Sequence, residues 1–208
     1  QFRQGLNGRL MSKCRFLMMA EHSHRFSKTI FAEMRGVSDA DGNSPFWKWL
    51  QEHFFSIDFT LADYLTGIGK KGFIADLMPK LPIYVNLLSK EAQAVIGQVH
   101  ENTRPALVLL EKEGFTCRNY VDIFDAGPTV ECELNNIESV RHSVRAIVEV
   151  AEHSSSQNFI MCNTSFENFR ATAAKAAYSQ EDNAVIISPK VAAALEVSTG
   201  DYLRILAQ

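Results

Sequence analysis

The chain has 208 residues, 46% of them hydrophobic and 22% charged, with a formal net charge of −3. That length and composition can fill a core, and the slight negative balance argues against a general nucleic-acid or membrane-surface binder. No run approaches the ~20 apolar residues of a bilayer span, no leader pattern opens the sequence, and Cys14, Cys117, Cys132 and Cys162 lack CxxC spacing, so a cytoplasmic protein with buried free thiols and no metal is predicted.

The first stretch, "FRQGLNGRL" (2–10), carries an arginine and two glycines into a predicted helix over 6–24, with Leu6, Leu10, Cys14, Leu17 and Met18 on one face. A helix N-terminus leaves N–H groups unpaired and partly positive, which suits a pyrophosphate. Gly5 and Gly8 would permit close approach and Arg3 would add charge. "TIFAEM" (29–34) reads as a buried strand and "DADGNS" (39–44) as a loop. Ser44 and Pro45 mark the start of a helix over 44–54. "FSIDF" (55–59) alternates like a strand, and 60–78 reads as helical pieces broken by Gly67, Gly69 and Gly72. "PIYVNLL" (82–88) is a further predicted strand.

Ser89 caps a short predicted helix, and another begins at Asn102 or Thr103 and ends at Gly114. "RNYVDIF" (118–124) and "TVECEL" (129–134) read as strands joined by the turn "DAGP" (125–128). Residues 136–152 are predicted as one helix with Ile137, Val140, Val144, Ile147 and Val148 on one side, followed by the linker "HSSSQ" (153–157). In the tail, the alanine-rich "FRATAAKAAYS" (169–179) predicts a helix between the strands "NFIMC" and "AVIIS". "PKVAAALEVSTGDYLRILA" (189–207) reads as helix, turn and final strand.

By spacing alone, His100 is a solvated loop histidine. Asp122, Asp125 and Glu131 flank the "DAGP" turn and Glu33 lies in a predicted strand; each reads as a turn-forming or solvated acid, and none is put forward as a site. The aromatic group Phe46, Trp47, Trp49, Phe54 and Phe55 reads as packing.

Longer stretches say more. "SPFWKWLQEHFFSIDF", "FIADLMPKLPIY", "LSKEAQAVIGQVHENTRPALVLLEKEGF", "RNYVDIFDAGPTVEC" and "FAEMRG" resemble the arginine N-succinyltransferase family of GNAT-type acyl-CoA N-acyltransferases. The resemblance runs from residue 2 to about 152 and continues more weakly through the tail. It implies an α/β (α+β) fold, with a GNAT-like mixed sheet flanked by helices over 1–152 and a small strand-rich C-terminal appendage, α/β or barrel-like, over 158–208. It implies transfer of succinyl from succinyl-CoA to the α-amino group of L-arginine, or of ornithine in some members. The family's proton donor falls on the histidine of "GQVH", His100. The CoA loop falls on Arg3, Leu6, Asn7 and Gly8, with Leu6 standing where the superfamily pattern has a glycine. Family members are longer at the N-terminus, so the chain as given is expected to turn over succinyl-CoA poorly or not at all. A homo-oligomer or a related partner subunit is compatible with the family. The alternatives are a GNAT enzyme for a different amine and a non-catalytic subunit.

Overall fold

The computed structural model describes residues 7–54, 57, 59–70, 72–77, 80–152 and 154–208. In chain order its elements are α1 (Asn7–Glu21), β1 (Thr29–Glu33), α2 (Pro45–His53), α3 (Phe59–Gly67), α4 (Gly72–Leu77), α5 (Lys90–Val95), α6 (Arg104–Lys112), β2 (Thr116–Val121), β3 (Pro128–Glu133), α7 (Glu138–His142), β4 (Val144–Val150), β5 (Asn158–Asn163), β6 (Ala171–Lys175), β7 (Ala177–Ser179), β8 (Ala184–Ile187), α8 (Pro189–Leu195) and β9 (Tyr202–Ala207). They divide between two compact units. One holds the described residues of 1–30, 112–114 and 132–208; the other holds those of 31–111 and 115–131.

In the first unit six strands form one sheet in the order β6-β5-β9-β4-β8-β7, antiparallel except for the parallel β4–β8 pair. The sequence of β5 has no polar face because both its faces are covered. Phe159 and Met161 join a core with Leu195 of α8, while Ile160 and Cys162 pack with Leu17 of α1. Burial pushes the Cys162 thiol up to about 12, so it behaves as a small apolar filler. Cys132 is also buried, whereas Cys14 is half-buried and Cys117 is exposed, so the expectation of buried thiols holds for only part of the set.

Two predicted helices of this unit are strands. Residues 169–179 form β6 and β7, although alanine favours helix. Pairing with β5 over Ala171–Lys175 decides the matter, and the alanines act as thin spacers. Ala171 and Ala173 face the Leu17 cluster, while Ala174 and Ala176 belong to the Leu195 cluster. Residues 136–152 break after the short α7 and continue as β4. The β-branched run is read there at period two, with Ala146 and Val148 buried and their neighbours exposed.

The second unit carries a sheet ordered β1-β3-β2 over residues 31–33, 116–121 and 128–131. β1 is a strand as predicted but not a buried one, and Phe31 is 63% exposed. The segment 82–88 is not a strand: it forms a single 3₁₀ turn, Val85–Leu87, with Leu81, Tyr84, Val85 and Leu87 exposed. Pro82 offers no N–H for a ladder, and of this run Leu88 is buried in the core and Ile83 packs against it. Most of the predicted strand 55–59 lies outside the described residues, and Phe59 already begins α3.

α2 starts as read, with Pro45 at its first position and the Ser44 hydroxyl accepting the Trp47 N–H. It buries Trp47, Trp49 and Leu50 against Leu88 and Ala92. The Trp47 ring meets Phe124 at 5.1 Å between centroids, which seats the 122–125 turn against the helix. Across both units the architecture is mixed α/β, sheets with helices on their faces, as expected. Among the described residues, no helix is long and apolar enough to cross a membrane.

Candidate active site

Three backbone segments of the second unit meet around the "DAGP" turn. Asp125 is the clip between them. One of its carboxylate oxygens accepts the Gly36 N–H at 2.7 Å and the other accepts the Gly127 N–H at 2.8 Å. The contact requires glycine on both sides. A Cβ on Gly36 would strike the Asp125 backbone carbonyl and lie 2.7 Å from the Gly127 nitrogen. A Cβ on Gly127 would strike the Met34 carbonyl and lie 2.6 Å from the Gly36 nitrogen. Asp122 closes the turn from the other end, its Oδ1 accepting the N–H groups of Phe124 at 2.7 Å and Asp125 at 3.3 Å. These two acids therefore form turns, as the sequence reading had it. Glu131 lies on β3 and pairs with Arg118 at 3.4 Å.

The third segment carries His100. Gly97, at φ +71°, donates to the Ala126 carbonyl at 2.9 Å. Gly36 and Val99 form an antiparallel bridge, and the His100 N–H donates to the Arg35 carbonyl at 2.9 Å. His100 is thus held from behind by the 35–36 backbone that Asp125 clips. From the front it caps a helical run. Its carbonyl accepts the N–H groups of Thr103 at 2.8 Å and Arg104 at 3.1 Å, and its ring Nδ1 accepts the Asn102 N–H at 3.1 Å. A 3₁₀ turn, Glu101–Thr103, then passes directly into α6. With Nδ1 accepting, the neutral ring carries its proton on Nε2.

The other described histidines are differently engaged. His53 at the end of α2 has its Nδ1 2.7 Å from the Trp49 carbonyl and stacks on that indole, and His142 lies 2.8 Å from Glu138. Of the predicted loop residues, Arg3 and Leu6 lie outside the described residues. Asn7 and Gly8 are the first two residues of α1, in the first unit, and both are exposed. A Cβ added to Gly8 would meet nothing within 4 Å, which leaves open space beside the helix start.

Sequence reasoning missed Gly36 and the role of the 34–36 segment. The available signal was the arginine and glycine that follow the strand in "FAEMRG". Among the described residues, no group of three or more His, Cys, Asp or Glu side chains converges as a metal site would require.

A family model described as arginine N-succinyltransferase beta subunit matches residues 1–139, and one for its C-terminal domain matches residues 140–207. The chain belongs to the arginine N-succinyltransferase family. Within the family, it is 46% identical over 203 residues to arginine N-succinyltransferase subunit beta of Pseudomonas aeruginosa, covering 97% of this chain and 59% of that protein. It is 47% identical over 209 residues to the arginine N-succinyltransferase of Photorhabdus laumondii, covering 99% of this chain and 60% of that protein. Subunit AI of the arginine/ornithine succinyltransferase of P. aeruginosa superposes with a TM-score of 0.85 at 33% identity, over 98% of this chain and 58% of that one. The chain thus spans about three fifths of the length of the relatives it matches, and the GNAT-like α/β fold expected from the resemblance is the fold it has.

Proposed function

We propose that this chain carries the histidine that serves the leaving group of an arginine N-succinyltransferase, His100. The observation that carries the reading is the state of the His100 ring, whose Nδ1 is occupied by the Asn102 N–H so that Nε2 bears the proton. In the proposed reaction the neutral α-amine of arginine attacks the thioester carbonyl of succinyl-CoA. A C–N bond forms, the C–S bond breaks, and the departing sulfur accepts a hydrogen bond from the His100 Nε2–H, which stabilises its developing charge. The proton lost by the nitrogen passes through solvent to the thiolate, and the ring keeps its own proton throughout.

Ornithine is the second candidate acceptor, in keeping with the name of the superposed Pseudomonas subunit. Arg3, Leu6, Asn7 and Gly8 are proposed to approach the CoA pyrophosphate through backbone N–H groups. A related partner subunit belongs to the same reading, because the Pseudomonas relatives are named as subunits. Free cysteines, one of them exposed, accord with a cytoplasmic location.

The test is CoA release with arginine in the protein as its gene encodes it. His100→Ala should lower kcat by roughly 10²-fold or more, with little change in KM for succinyl-CoA. His53→Ala and His142→Ala should leave the rate near wild type. A near-normal kcat in folded His100→Ala protein would refute the assignment. A faster reaction with lysine or a polyamine than with arginine or ornithine would move the chain to a different amine.

A further inference from the structure

The second unit contains a cavity of about 330 Å³ that the chemistry above does not use. Its walls include Trp49, Leu50, Ile83, Leu88 and Ile96, and Asp122 lines it as well. Val85 also lines it and is 52% exposed, so the cavity communicates with solvent. Such a space, apolar with one carboxylate, suits a ligand that has an aliphatic arm and a cationic end.

Asp122 is prepared for such a partner. Its Oδ1 is committed to the Phe124 and Asp125 N–H groups, while its Oδ2 accepts no hydrogen bond and no cation pairs with it among the described residues. Burial, opposed by the Phe124 N–H, raises the Asp122 carboxyl above its ordinary value, and the Asp125 and Glu33 charges add to the rise. Half-buried acid without a counter-ion is unfavourable in the free protein, and a guanidinium would relieve it through charge-assisted hydrogen bonds. The cavity also lies close to His100 along the chain. Ile96 lines its wall, and the next residue, Gly97, is hydrogen-bonded to the turn that carries Asp122.

We propose that this cavity receives the side chain of a basic amino acid, with its methylenes against Trp49, Leu50 and Ile96 and its guanidinium on Oδ2 of Asp122. The inference rests on the proposed function for the identity of the acceptor, and its test is chosen to be read independently of it. Asp122→Asn keeps an Oδ1 acceptor for the two turn N–H groups and removes only the charge. In steady-state assays this variant should raise KM for arginine at least about 30-fold and change KM for succinyl-CoA by less than about threefold.

Calorimetric titration with arginine and with citrulline, its neutral isostere, requires no turnover. Wild type should prefer arginine, and Asp122→Asn should lose that preference. An unchanged preference overturns the site even if succinyl transfer to arginine is established. A lost preference supports the site even if transfer is absent. Ile83→Phe, which adds bulk to the cavity wall, should weaken arginine binding in the same assay. Wild-type affinity in that variant would also overturn the proposal.

Discussion

Asp125 supplies the sharpest test of how the candidate site is held. Each of its carboxylate oxygens accepts one backbone N–H, from Gly36 at 2.7 Å and from Gly127 at 2.8 Å, and both glycines are buried. Asp125→Asn preserves shape but replaces one acceptor with a donor. One N–H then loses a charge-assisted bond worth about 1.5–3 kcal/mol and is left unsatisfied at a further cost of about 1–3 kcal/mol. Rotation of the amide only chooses which glycine suffers. Water has no room between segments 34–36 and 125–127, because the two backbones approach so closely at the glycines that a Cβ would strike the opposite chain. The expected loss is therefore about 2.5–6 kcal/mol, a large share of the ~5–15 kcal/mol that holds a domain together. Urea unfolding of wild type and variant, compared at equal m-value, measures it. Asp39→Asn is the internal control. Asp39 also accepts several loop hydrogen bonds, from Asp41, Asn43 and the Asn43 amide, but in an exposed loop where water can replace them, so its loss should be much smaller. A change below about 1 kcal/mol in Asp125→Asn would mean that its carboxylate is not the clip.

Two further outcomes follow from the same turn. Gly127→Ala places a Cβ against the Met34 carbonyl and 2.6 Å from the Gly36 nitrogen, so it should destabilise by about 3 kcal/mol or more; thermal unfolding at the wild-type temperature would contradict the close approach. Asp122 has its folded-state proton affinity raised, by burial first, so its charged form is disfavoured in the fold and its contribution falls as pH rises from the unfolded value through the folded one. Asp122→Asn should accordingly be more stable than wild type at neutral pH, with the gain vanishing in acid below the ordinary carboxylate range; a gain that is constant or grows on acidification would reverse the sign and refute the burial argument.

Local chemistry was legible wherever one residue decides a local geometry. Ser44 with Pro45 and Ser89 could each be read as helix starts, because the cap is a contact within the same few residues. The "DAGP" turn was legible for the same reason. The strands of 144–150 and 171–179 were not, because what makes them strands lies far along the chain. β6 needs β5 beside it and a helix over each face, and nothing in "ATAAK" announces either. The reverse error at 82–88 has the same origin: "PIYVNLL" has strand composition, but the described structure offers it no partner strand. At the site, the identity of His100 came through resemblance, while its surroundings came only from the fold. Asp125 looks like an ordinary turn acid in sequence, and its second bond, to a glycine 89 positions away, is invisible there.

The bond from the Asn102 N–H to the His100 ring constrains the chemistry more than the presence of a histidine does. An imidazole with both nitrogens free can take a proton at one moment and give it at the next from either edge. Here Nδ1 is already an acceptor, and the neutral ring presents a donor at Nε2. Such a ring is suited to the second half of an acyl transfer, in which the leaving sulfur gains charge that an N–H can stabilise, and is unsuited to removing a proton from an incoming ammonium. In the proposed reaction the amine must therefore reach the thioester already neutral. The two halves of the exchange are then served by different means. Solvent sets the fraction of reactive amine, while His100, held by Arg35 behind and by the first turn of the 101–112 helical run in front, serves only the departing sulfur. In the proposed reaction the Asp125 clip bears on this second half alone, because it fixes the 35–36 backbone to which the His100 N–H is bonded.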